Sequence, residues 1–106
     1  MDLASLYDTQ RAFRLLEPQL DGHLDVLVCN AGIMCAPPGS SPESYEIQWA
    51  TNYLGHALLI RLLLPLLTRT ASSYGEARVV NITSEGLMLA PADTGIVFDD
   101  LKTKQH

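Results

Sequence analysis

Positive charge is scarce in this sequence: 7 Lys and Arg stand against 12 Asp and Glu, a formal net charge of −5 over 106 residues. Phosphate binding needs clustered Lys and Arg, and no cluster occurs, which argues against a nucleic-acid partner and against an anionic membrane surface. Cysteine is equally sparse, with only Cys29 and Cys35. Two cysteines imply no disulfide framework, and a structural metal site needs more ligands, so no metal is expected. Met1-Asp2-Leu3 opens neither a basic n-region nor an apolar h-region, so no secretory signal is visible. A reducing, cytoplasmic setting is the expectation. Long hydrophobic runs are also missing. The most apolar window, residues 57–67, contains Arg61 and Pro65 and is shorter than the roughly 20 residues of a membrane span. It reads as a buried helix, and no span is expected.

What is present describes a folded chain: 47% of residues are hydrophobic and 18% charged, a balance that disordered segments lack. The length allows one domain, residues 1–106, with a modest core. There is no internal repeat and no low-complexity tract.

Along the chain, Leu6, Phe13, Leu16 and Leu20 recur at roughly helical spacing over residues 5–20, with Pro18 expected to end or distort that helix. Asp21-Gly22 is a turn signal, and residues 24–28 give a first strand. Pro37-Pro38-Gly39-Ser40 is a loop. A second helix is expected with Ser41 as N-cap, Pro42 in the first helical position and Glu43 beside the positive end of the dipole. It runs to about residue 68, with Pro65 a kink or early stop. Residues 78–82 give a second strand, and the segment with Pro91 and Asp93-Thr94-Gly95 reads as loop. The Val-rich runs without strict alternation read as parallel strands covered on both faces. Helix, strand, helix, strand therefore forms a βαβ unit with a helix before it, and its crossover is expected to be right-handed.

In open parallel sheets, ligands gather outside the carboxyl ends of the strands. Small polar residues stand at both of those ends: Asn30-Ala31-Gly32 after the first strand, and Thr83-Ser84 after the second. Taken alone, Asn30-Ala31-Gly32 is an ordinary strand-ending turn, Ser84 a loop hydroxyl, and Asn52 a core amide on a helical stripe with Trp49, Tyr53 and His56. A hydrolase elbow at Ser84-Glu85-Gly86 fails because Ile82 stands where Gly-x-Ser-x-Gly needs its first glycine. His56 has no second ligand at metal spacing and reads as a helix-face residue. Asp99-Asp100 reads as a solvated acidic pair.

Together these residues give a resemblance. The chain is similar to the short-chain dehydrogenase/reductase family from Asp2 to about Leu101, through several separated motifs in the family's order. Asp2-Leu3-Ala4-Ser5 resembles the segment after the family's third strand, whose Asp lies near the cofactor adenine. Leu24 to Gly32 resembles the fourth strand and its Asn-Asn-Ala-Gly signature, with Cys29 in place of the first Asn. Trp49 to His56 resembles the helix bearing the family's catalytic Asn, which carries over to Asn52. Residues 78–84 resemble the fifth strand with its active-site Ser, which carries over to Ser84. Residues 95–101 resemble a longer loop of retinol-dehydrogenase-like members.

The resemblance implies an α/β fold, here a partial Rossmann-like doubly wound parallel sheet. It also implies NAD or NADP as cofactor, with Asp2, Asn30, Ala31 and Gly32 bordering it, and an alcohol or carbonyl compound as substrate. Two family signatures have no counterpart in these residues. The glycine-rich pyrophosphate turn belongs upstream of Asp2. The Tyr-x-x-x-Lys pair is missing too, since none of Tyr7, Tyr45, Tyr53 and Tyr74 has Lys four positions later. Neither Ser84 nor Asn52 has a pKa suited to proton transfer near neutral pH. The expectation is therefore a piece of a hydride-transferring oxidoreductase that is inactive as an isolated chain. The alternative is a truncated, non-catalytic protein that acts by association with a partner chain, a homo-oligomer included. A third reading is an incomplete gene model whose flanking frame encodes both signatures.

Overall fold

The computed structural model describes residues 1–90, 93 and 95–102. Pro91 and Thr94, expected in a loop, and the Lys104-Gln105-His106 end lie outside the described residues.

Helix α1 spans Leu6–Leu16. The Ser5 hydroxyl caps it by accepting from the Asp8 amide at 3.1 Å, and Asp8 sits where the exposed N–H groups of a first turn favour negative charge. Pro18 acts as expected: the α-helix stops at Leu16, and Glu17–Leu20 continues as one 3-10 turn. Asp21 and Gly22 then take positive φ values of 47° and 73° and turn the chain into the sheet. Strands β1 (Val26–Cys29) and β2 (Arg78–Asn81) pair in parallel, with Val26 opposite Arg78 and Cys29 opposite Asn81.

The connection between them departs from expectation at both ends. Helix α2 spans Ile47–Tyr74, and its N-cap is Glu46, not Ser41. The Glu46 carboxylate accepts from the amides of Gln48 and Trp49 at 3.0 and 2.7 Å. A charged acceptor that satisfies two free amides outcompetes one hydroxyl. Ser41 instead accepts from the amides of Glu43 and Tyr45, closing a turn in which Ser44 has φ 66°. No helix passes through that backbone. At the other end, Pro65 does not stop the helix, which continues to Tyr74 and closes on Gly75 at φ 100°. Pro65 lies on the exposed side with Arg61, whose carbonyl loses its helical partner where water can replace it.

Within α2, Ala50–Leu54 forms a π-helical turn, a local widening of the helix. Just after it, Gly55 meets the N-terminal segment so closely that a Cβ there would collide with the Leu3 carbonyl oxygen. Only glycine permits that approach. By length and composition α2 could cross a membrane, so the short 57–67 window does not settle that question; core helices of soluble proteins have the same properties. Its leucines Leu59, Leu63, Leu66 and Leu67 are buried here, packed against Phe13, Leu20, Leu24, Leu27 and Ala77.

The sheet corrects a second expectation. Its strands are not covered on both faces: every β2 residue is exposed, and in β1 only Cys29 is buried. Among the described residues, the two strands are backed by one helical layer and nothing covers their second face. The described residues thus form part of an α/β fold, with the carboxyl ends of both strands side by side.

Candidate active site

Because Cys29 and Asn81 pair at the end of the ladder, the loops that follow leave from one edge. They border a cleft of about 970 Å³ that is closed on its third side by α2. Asn30, Ala31, Gly32, Asn52 and Ser84, separated by as many as 54 positions, all line it. Asp2 does not. Its carboxylate accepts from the Ala4 amide at 2.9 Å and its own N–H donates to Asp8, so it shapes the entry to α1.

Asn52 projects from the π-helical turn and grips one backbone unit from both sides. Its Oδ1 accepts from the Ile33 amide at 2.9 Å and its Nδ2 donates to the Ile33 carbonyl at 2.8 Å. Gly32 is held close beneath: a Cβ there would come within 3.2 Å of that same Oδ1. The plain alternative of a core amide does not hold, because Asn52 is an exposed side chain that fixes a loop. Ser84 is exposed, and its Oγ accepts from the Gly86 amide at 3.0 Å. Accepting that bond leaves the hydroxyl proton available for an oxygen in the cleft.

Two further residues belong to this wall. His56, read from sequence as a plain helix-face residue, places Nε2 at 2.7 Å from the Ala31 carbonyl. Its position four residues after Asn52 was the available signal. Tyr53 lines the cleft as well and stacks on Trp49 at a ring separation of 4.4 Å. Cys29 is buried, and desolvation pushes its thiol pKa up. It stays a neutral thiol at neutral pH and serves as packing in place of an amide. Among the described residues no cluster of His, Cys, Asp or Glu could hold a metal ion.

Residues 1–93 match the family described as short chain dehydrogenase. This chain belongs to the short-chain dehydrogenase family. The short-chain dehydrogenase/reductase drtF of Aspergillus calidoustus is 41% identical over 109 residues, covering 99% of this chain and 33% of the relative. Human retinol dehydrogenase 14 is 41% identical over 105 residues, covering 99% and 29%. Human retinol dehydrogenase 13 is 37% identical over 102 residues, covering 95% and 28%. The chain thus spans about a third or less of the length of these relatives.

The cleft's residues suit the reactive end of the family's nicotinamide cofactor. Ile33, Ile60, Ile82 and Leu89 supply apolar wall, while Asn30 and Ser84 bring a few polar groups, the composition usual for a small-molecule site. Gly32 leaves the space that a side chain would take from the turn.

Proposed function

We propose that residues 1–106 form a single incomplete NAD(P)-binding domain that supplies the substrate-side wall of a short-chain oxidoreductase acting on an alcohol or carbonyl compound. The observation that carries this reading is the convergence of Asn30, Ala31, Gly32, Asn52 and Ser84 on one cleft beyond the strand ends. When bound, the nicotinamide supplies or accepts the hydride. The 30–32 turn borders it, Ser84 hydrogen-bonds the reacting oxygen, and Asn52 keeps the turn in place. Asp2 as an adenine neighbour rests on the resemblance alone.

Proton transfer to or from the substrate oxygen needs a group that titrates near ambient pH. No Tyr in this sequence has Lys four positions later, the spacing at which Lys lowers the Tyr pKa in the family, so the 106-residue chain is proposed to be inert. A steady-state assay with NADH and NADPH against retinal-like and small carbonyl substrates should give no turnover. Sustained turnover would refute inertness. The cleft assignment has its own test: titrating nicotinamide mononucleotide should move the amide resonances of Gly32 and Ser84, and an unmoved spectrum at millimolar ligand would reject it.

A second reading, association in place of catalysis, has one observation in its favour. Val26, Val28, Val79 and Val80 are exposed on strands whose outer edges pair with nothing among the described residues, the arrangement that recruits further strands. Size-exclusion chromatography over a concentration series checks it, since a monomer at all concentrations would remove this reading.

A further inference from the structure

Residues 30–33 after β1 have no regular secondary structure, so their shape depends on what holds them. Three side-chain hydrogen bonds attach this stretch to α2. Two come from Asn52 to the N–H and carbonyl of Ile33, and the third runs from His56 Nε2 to the Ala31 carbonyl at 2.7 Å. A carbonyl oxygen only accepts, so Nε2 carries the proton. The other nitrogen, Nδ1, is buried and finds no partner among the described residues. An unsatisfied buried ring nitrogen costs stability. Among the described residues, the bond to Ala31 is thus the one hydrogen bond of the ring.

We infer that His56 is a positioning residue of the cleft: with Asn52 it latches the 31–33 backbone to α2 through its Nε2–H tautomer, and so holds the shape of the turn that ends in Gly32. The inference rests on the proposed function only for what that turn receives. The latch itself stands on the three bonds. Asn52 and His56 lie four positions apart on one helix, and their targets lie two positions apart on the loop. Each grip keeps the other in register. Loss of the His56 bond frees the Ala31 carbonyl and lets the Ile33 clamp open more often.

The test uses the 106-residue chain labelled with 15N. Long-range proton–nitrogen correlation of the unsubstituted protein should show the His56 proton on Nε2 and a bare Nδ1. In His56→Phe, which keeps a ring but has no donor, exchange of the Ile33 amide should quicken by about fivefold to tenfold, the usual worth of one hydrogen bond. His56→Gln, which restores an N–H donor, should recover most of the protection. A proton on Nδ1, or Ile33 exchange that is the same in His56→Phe as in the parent, overturns the latch. Should His56→Phe fail to fold, the tautomer of the parent decides alone. Nicotinamide mononucleotide titration is read separately: no binding by the parent counts against the proposed function, while exchange at Ile33 still decides the latch.

Discussion

The two sides of α2 and β1 differ sharply in cover. Leu63, in the middle of α2, is 1% exposed, whereas Val28, in the middle of β1, is 55% exposed. Both are apolar residues in regular structure, yet only one has neighbours on all sides. The helical layer holds the core, with Thr9 of α1 and Thr70 of α2 fully buried. Among the described residues the sheet is covered on one face only. The stability of this chain therefore resides in the helices, while the strands mainly place the loops of the cleft.

The largest test of that contrast compares truncations. Leu63→Ala should cost about 2–5 kcal/mol, because it opens a cavity in a packed core. Val28→Ala should fall within about 0.5 kcal/mol, as surface changes do. Urea unfolding of both variants measures the difference, and equal losses would mean the sheet is covered in solution. Next is Gly55→Ala, which drives a methyl group into the Leu3 carbonyl and should cost about 1–3 kcal/mol by overpacking. The same melts check it. Third, Glu46→Ala should destabilise by about 0.5–2 kcal/mol through loss of the α2 cap, with helical circular dichroism falling at the same temperature. A larger effect from Ser41→Ala would return the helix start to the earlier serine.

The smallest effect is electrostatic. The Asp2 amide and then Arg11 lower the Asp8 pKa below the ordinary carboxylate value. A lowered folded-state pKa stabilises the fold above the unfolded value of about 4 and loses that contribution as pH falls through the folded value. Asp8→Asn should therefore flatten the acid side of a stability profile by lowering stability slightly at pH 7, where the contribution is present, while changing little at pH values below the folded-state pKa. Exposure of the pair limits the size of the effect.

Much of this architecture was legible along the chain. Both strands, the break at Pro18 and the Asp21-Gly22 turn depend on neighbouring residues, and each stands close to where its residues call for it. The convergence of Asn30, Asn52 and Ser84 was legible through the family pattern, since strand ends in a parallel sheet share an edge. The start of α2 was not. Ser41-Pro42 is a sound local cap, but Glu46 has the stronger acceptor, and the choice is made by a carboxylate held almost fully buried at 6% exposure. Helix continuation past Pro65 also depends on which face that residue occupies. The bond from His56 to Ala31 spans 25 positions, beyond any local pattern.

By itself, the order of residues determined the element types, the parallel crossover and the family, because propensity, capping chemistry and motif spacing act over short separations or survive as pattern. Tertiary structure decided the rest: the cap at Glu46, the glycine at the Leu3 crossing, the uncovered sheet and the Asn52–His56 grip on residues 31–33. Those features depend on which distant groups meet and on whether water is excluded between them, and contact and desolvation exist only once the chain has folded.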